Sequence, residues 1–191
     1  DGSPQRPGVR FPSLWNILCE TFFLDRLFPR SRLVAGHREL YEDPAVGRQV
    51  DYVQGSCLMV RADAAARVGL LDEGFFMYFE ETDWCRRMKQ AGGEVWYCPA
   101  GEVIHLGANE PGHFDERRLV HYHRSLLRFF RKHEGPWRSL LLRALIVARS
   151  LVRIAVWGGV ALLQPHRRAA AVSCIRGYLD SILLAAGAGT P

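Results

Sequence analysis

The chain has 191 residues, 48% of them hydrophobic, which suffices for one domain with an appendage and excludes an intrinsically disordered protein. Its net charge of +5 is unevenly spread, because residues 72–83 are acidic while Arg and Lys dominate from Arg117 onward. Five cysteines without a Cys-x-x-Cys pair exclude a disulfide framework and a zinc site, and they favour a reducing compartment. No signal peptide is recognisable and the Pro- and Gly-rich opening lacks Met, so we expect a chain that is incomplete at its N-terminus.

The first predicted elements are a helix and a strand. Apolar spacing over residues 13–28 predicts a short amphipathic helix, with Ser13 as its N-cap and Pro29 just beyond its end. Residues 50–60 predict a strand, and its continuously apolar second half is typical of a strand buried on both faces. Gly55 lies inside this strand, which indicates that another backbone or a ligand approaches it closely.

Helices and short strands alternate in the next part of the chain. An alanine-rich helix is predicted after Asp63, and a second helix is predicted to begin near Glu80. Residues 94–98 and 102–106 predict two short strands. The order of elements over residues 50–106 therefore predicts an α/β fold.

The C-terminal part predicts three helices, at residues 115–133, 137–163 and 169–186. Arg143, Arg149 and Arg153 interrupt the apolar pattern of the second one. Each Arg at the centre of a bilayer costs about 2.5–3.5 kcal/mol on insertion scales, so simple spanning is disfavoured. We therefore expect a helix that lies in the membrane interface with its Arg side chains snorkelling to water.

The basic and apolar character of this part bears on the partner. Such a chain suits either a membrane surface with anionic lipid or a nucleic acid. The sequence shows no basic patch interleaved with aromatic residues of the kind that nucleic-acid modules carry, so we predict a membrane surface and no nucleic acid. The predicted organisation is one domain at residues 1–135, followed by basic apolar helices at residues 136–191.

A candidate site lies in the acidic and aromatic stretch at residues 71–87. Aromatic side chains bury, so carboxylates among them end at the edge of a core, where their pKa values can be tuned. Glu80, Glu81 and Asp83 either satisfy the free N–H groups of a helix start, or include a general base that accepts a proton from a substrate hydroxyl. His105, at the end of a predicted strand, is either structural or a ligand of a divalent metal.

Several linked motifs, taken together, carry a resemblance to a known family. They are Asp51–Arg61 (DYVQGSCLMVR), Val68–Arg87 (VGLLDEGFFMYFEETDWCRR), Ala91–Val95 (AGGEV) and Val103–His105 (VIH). In this order they resemble family 2 glycosyltransferases, and in particular the rhamnosyltransferase-like enzymes of bacterial polysaccharide synthesis. The resemblance covers about residues 1–133. It implies the acceptor-side half of a GT-A fold, and the lack of an Asp-x-Asp motif after a strand fits a chain without the nucleotide-binding half.

The resemblance also implies an activity and roles for single residues. The reaction is inverting transfer of a sugar, with rhamnose as the first guess, from a nucleotide-sugar to a saccharide or lipid-linked acceptor, with a divalent metal (Mg or Mn) as cofactor. Glu81 occupies the position of the catalytic base, where the family usually has Asp. The other assignments are His105 as a metal ligand, Gly55 and Ser56 as lining of the acceptor pocket, and Glu80 and Asp83 as substrate-binding residues that orient the acceptor or the helix start.

The location and the alternative function follow from the same reasoning. We expect a cytoplasmic enzyme, peripheral at the inner face of the cell membrane, near a lipid-linked acceptor. We expect the 191-residue chain alone to be inactive. The alternative is a non-catalytic, membrane-associated interaction module that retains a degenerate glycosyltransferase half.

Overall fold

The computed structural model describes residues 10–36, 43–105 and 116–188. The chain divides into two compact units. The first unit comprises Asp1–Cys19 and Leu24–Gly107, and the second unit comprises Glu20–Phe23 and Ala108–Pro191. This division reflects packing alone and does not test the assignment of residues 1–135 to a glycosyltransferase domain, which stays a prediction.

The described residues are mostly helical, with little sheet. The helices are α1 (Leu14–Thr21), α2 (Leu24–Leu27), α3 (Ala62–Val68), α4 (Glu80–Gln90), α5 (Glu116–His133), α6 (Pro136–Leu163) and α7 (Arg168–Ala185). The strands are β1 (Arg48–Gln49) and β2 (Trp96–Tyr97).

The N-terminal helix predicted over residues 13–28 is interrupted. It forms as α1 and α2, and the break coincides with Phe23, whose φ of 59° lies in the left-handed region. The predicted N-cap is confirmed, because the backbone N–H of Asn16 donates to Ser13 Oγ at 3.2 Å. Pro29 follows the end of α2, as predicted.

The prediction of a strand at residues 50–60 is wrong. β1 pairs antiparallel with β2, and the N–H of Val50 donates to the carbonyl of Val95 at 2.9 Å, but the ladder stops there. Residues Gly55–Cys57 form a 3₁₀ turn instead. A strand buried on both faces needs partners along its edges for its N–H and C=O groups, and the described residues offer only β2. Residues 102–105 likewise form no strand, and Leu106 lies outside the described residues.

A small core holds α4 in the first unit. It consists of Val50, Val53, Cys85 and Val95, with Tyr52, Leu58 and Tyr97 packed against it. Lys89 Nζ adds a polar attachment, because it donates to Val50 O at 3.0 Å and to Asp51 Oδ1 at 2.8 Å. These contacts fix one face of α4 against the segment that contains Gly55.

The second unit is a packed set of three helices, α5, α6 and α7. Their bounds confirm the three helices predicted from the sequence to within a residue or two. Large apolar side chains from all three fill the centre, among them Leu126, Phe129, Phe130, Leu142, Ile146 and Cys174. By length and composition alone, α6 could cross a membrane.

Candidate active site

The start of α4 is a strained turn. Tyr78 and Phe79 have φ values of 66° and 68°, so two consecutive aromatic residues adopt the left-handed conformation. For residues other than Gly this conformation costs about 1–2 kcal/mol each. The N–H of Asp83 nevertheless donates to the carbonyl of Phe79 at 2.8 Å, which begins the helix directly after the turn. Strain of this kind persists where packing over-determines it, and it clusters at functional sites.

Glu81, in the first turn of α4, has an unusual environment for a carboxyl group. Its Oε2 atom is shielded from solvent and has no hydrogen-bond partner within the described residues. Burial raises the pKa of Glu81, and the charge of Glu80 raises it further. The backbone N–H groups of Glu81 itself, Thr82 and Gly55 act in the opposite direction without cancelling the rise in pKa. A carboxylate with a raised pKa and an unused oxygen is suited to accept a proton.

Gly55 lies directly against this carboxylate side chain. A Cβ atom at Gly55 would meet Glu81 Cβ at 3.7 Å and Glu81 Cγ at 3.8 Å, which is van der Waals contact. Ser56 is the next residue of the same 3₁₀ turn, and it is exposed. The structure thus brings Gly55 against Glu81, although the two residues are far apart in sequence. Their roles in binding and catalysis stay predictions.

Glu80, also in the first turn of α4, resembles Glu81 in the burial of one carboxyl oxygen. Its Oε2 atom is also buried and without a hydrogen-bond partner in the described part of the chain. Two adjacent carboxyl groups therefore each hold an oxygen that no described protein group uses. Buried polar atoms are normally hydrogen-bonded, so these two oxygens are candidates for contact with a bound molecule.

Asp83 has a different position. It is fully buried, and its Oδ2 accepts a hydrogen bond from Arg87 Nε at 2.8 Å. The other guanidinium nitrogens of Arg87 donate to Val68 O at 2.5 Å and to Leu70 O at 2.7 Å. The pair therefore attaches α4 to the segment that follows α3. The substrate-binding role of Asp83 stays a prediction, and its observed contact positions the helix.

The sequence reasoning missed two side chains that hold this helix in place. Arg87 anchors α4 through the two carbonyls named above, and Trp84 Nε1 donates to Gly69 O at 2.8 Å. A signal for Arg87 was available, because Asp83 and Arg87 have the i, i+4 spacing of a helical ion pair. The backbone acceptors at residues 68–70 gave no such signal, since they depend on tertiary contact.

His105 does not belong to a metal site that the described residues could build. It is an exposed residue. Those ranges contain no group of three or more His, Cys, Asp or Glu residues that could hold a metal ion. The described residues therefore do not fit a metal by themselves, and the metal and the ligand role of His105 stay predictions.

Curated relatives of the chain are glycosyltransferases. An N-acetylglucosaminyl-diphospho-decaprenol L-rhamnosyltransferase of Mycobacterium tuberculosis is 34% identical over 140 residues, which are 68% of this chain and 45% of the relative. Rhamnosyltransferase WbbL of Escherichia coli is 34% identical over 80 residues, 42% of this chain and 30% of the relative. The low-salt glycan biosynthesis hexosyltransferase Agl10 of Haloferax volcanii is 34% identical over 64 residues, 34% of this chain and 20% of the relative.

These similarities relate the chain to glycosyltransferases, as the sequence motifs indicate. The chain spans less than half the length of the mycobacterial relative, 45% of it. No family model matches the chain. No solved structure matches it either.

Proposed function

We propose that the full-length gene product containing this chain is an inverting family 2 glycosyltransferase in which Glu81 is the catalytic base. The observation that carries the proposal is the Glu81 carboxyl group, which has a raised pKa and a buried, unused Oε2 and packs against Gly55. The sugar-transferring relatives support the reaction class. Ser56, which is exposed in the same turn as Gly55, is the hydroxyl residue proposed to contact the acceptor.

The mechanism assigned to Glu81 is a single displacement. The acceptor hydroxyl donates its hydrogen bond to a Glu81 carboxylate oxygen, which takes the proton as the acceptor oxygen attacks the anomeric carbon. The new bond forms on the face opposite the nucleoside diphosphate, and the bond from the anomeric carbon to that leaving group breaks with its electron pair. Configuration inverts, and Glu81 is left protonated.

Glu80 contributes to this step through its charge and its free oxygen. Its charge raises the pKa of Glu81, which makes Glu81 a stronger proton acceptor. Its buried Oε2 can accept a hydrogen bond from a second acceptor hydroxyl and so orient the sugar. Orientation matters here, because geometric errors near 1 Å reduce the rates of such reactions strongly.

The proposal also covers the donor, the acceptor, the cofactor, the fold and the location. We propose rhamnose as the transferred sugar, a lipid-linked saccharide in cell-surface polysaccharide synthesis as the acceptor, and a GT-A fold of which this chain supplies the acceptor side. A divalent metal would supply charge stabilisation of the leaving diphosphate. No step is assigned to it, since the described residues form no site for it. The proposed location is peripheral, at the cytoplasmic face of the cell membrane.

The test is transfer by the full-length gene product, assayed with a panel of nucleotide sugars and a lipid-linked saccharide acceptor. We expect Glu81→Gln to lower kcat by about 10²–10⁴-fold, the usual contribution of a general base, with folding retained. Glu73→Gln is the matched control, because Glu73 is an exposed carboxylate of the same acidic stretch, and it should leave turnover unchanged.

Two results would contradict the proposal. Near-normal turnover by Glu81→Gln would remove Glu81 from the role of base. Absence of transfer with every donor, from a folded full-length protein, would instead favour the non-catalytic interaction module.

A further inference from the structure

Helix α6 presents one face without any charged residue. The exposed side chains along this face are apolar and recur at helical spacing. They belong to Trp137, Leu140, Leu141, Ala144, Leu151 and Leu162. We call this set the apolar stripe. With 28 residues, α6 is about 42 Å long, so the stripe extends over a distance comparable with the thickness of a bilayer.

The three arginines that interrupt the apolar pattern of α6, and that disfavour simple spanning, lie outside the apolar stripe. Arg149 Nη1 donates to Glu20 Oε2 at 2.8 Å, and Arg153 Nη2 donates to the backbone carbonyl of Glu20 at 3.2 Å. The Arg153 guanidinium also lies 3.9 Å from the ring centroid of Phe23. Arg143 Nη1 donates to the backbone carbonyl of Ala185 at 2.7 Å. These contacts lie within the second unit, so the three charges are held inside it.

Both ends of α6 carry the residues that membrane–water interfaces favour. Trp137, which is 77% exposed, stands at the first turn, where the neighbouring Arg138 pairs with Glu134. Beyond the other end, Arg167 and Arg168 are exposed. Trp is enriched at the level of lipid headgroups, and Arg complements their phosphates. This charge complementarity favours an anionic lipid surface as the occupant of the stripe.

The neighbouring helices decide between spanning and lying on the surface. The outer side of α7 adds exposed Val172, Leu179 and Leu183 to the apolar surface of the second unit. The outer side of α5, however, carries exposed arginines along its length, including Arg124, Arg128 and Arg131. A lipid environment all around this unit would desolvate these charges at about 2.5–3.5 kcal/mol each. A position flat on the surface avoids that cost.

We propose that the apolar stripe is the lipid-contact surface, and that α6 lies in the plane of an anionic membrane with this stripe against the acyl chains. Arg143, Arg149 and Arg153 are kept away from lipid by partners inside the second unit, rather than by snorkelling. The inference specifies the membrane contact contained in the proposed function. It depends on residues of the second unit alone, and its test needs no activity measurement.

The test is co-sedimentation of the chain with vesicles of phosphatidylcholine containing a minority of phosphatidylglycerol. Burying a Leu contributes about 1.5–3 kcal/mol, and tenfold in affinity corresponds to about 1.4 kcal/mol. The double variant Leu140→Asp with Leu151→Asp should therefore bind at least about 100-fold more weakly. Leu33→Asp makes the same change at a residue that is 72% exposed in the first unit, and it should bind as the unaltered chain does.

A second variant keeps the test decisive. If circular dichroism shows that the Asp variant is unfolded, Leu140→Gln with Leu151→Gln replaces it, with an effect in the same direction. Vesicle binding that is undiminished in a folded stripe variant would overturn the proposal. A lack of vesicle binding by the unaltered chain would overturn it too, as would a dimer in solution that the stripe variants dissociate while vesicles are not bound.

Discussion

At the scale of single residues, Glu81 combines properties that oppose stability and favour chemistry. Its carboxyl group is largely buried with one unpartnered oxygen, so the charged form is disfavoured in the folded chain. The turn before it holds Tyr78 and Phe79 in the left-handed region. A site with both features has a cost in folding free energy that packing elsewhere must offset.

This cost predicts how Glu81→Gln changes stability with pH. The folded-state pKa of Glu81 is raised, so between the unfolded and the folded pKa the folded state binds more protons. Its contribution to stability is therefore present below the unfolded pKa and is lost as pH rises through the folded pKa. Glu81→Gln should remove this loss of stability. The melting temperature of the variant should therefore exceed that of the unaltered chain by more at pH 8 than at pH 4.

Thermal unfolding of both proteins across that pH range is the measurement. Glu73→Gln, at an exposed carboxylate, is the control. Its melting temperature should differ from that of the unaltered chain by the same amount at pH 8 and at pH 4. A Glu81→Gln variant that is less stable than the unaltered chain at pH 8 would show that the carboxylate has a stabilising partner.

At the scale of elements, α4 is positioned by side chains on its inner face. The buried Asp83 pairs with Arg87, and Arg87 reaches two carbonyls after α3. Breaking a buried ion pair by removing one partner leaves an uncompensated charge. The position of Glu80 and Glu81 therefore depends on a contact two to three residues further along the same helix.

Asp83→Ala should accordingly destabilise the first unit by about 3–5 kcal/mol. The matched control is Asp63→Ala, which removes an Arg–Asp pair whose side chains are exposed, and it should change stability little. Chemical denaturation of the two variants gives the comparison. Equal effects of the two substitutions would mean that the Asp83–Arg87 pair does not hold α4.

At the scale of the whole molecule, the two units differ in what they contain. The first unit holds the candidate site on a small core with a short sheet. The second unit holds a buried polar contact within its helical core, where His123 Nδ1 lies 2.8 Å from Ser181 Oγ. Burial lowers the pKa of His123 to about 3, and the positive charge of Arg149 acts in the same direction. The folded second unit therefore favours the neutral form of His123.

Acid should therefore destabilise the second unit. Between the unfolded pKa of about 6.5 and the folded pKa of about 3, the unfolded state binds a proton that the folded state does not. Stability should fall as pH drops below about 6.5, by about 2 kcal/mol at pH 5. The slope of unfolding free energy against pH should flatten in His123→Gln and not in His166→Gln, since His166 is exposed. An unchanged slope in His123→Gln would contradict the assignment.

The sequence by itself determined the three helices of the second unit and the cap at Ser13, because helical hydrogen bonds and capping depend on spacing within a few residues. The resemblance of its motifs to a known family indicated Glu81 as a candidate base. The tertiary structure alone decided that residues 50–60 form no strand, since strand pairing needs a partner from elsewhere in the chain. It also decided that Gly55 meets Glu81 and that Glu20 neutralises Arg149. Contacts between residues so distant in sequence follow from burial and packing, which no local pattern encodes.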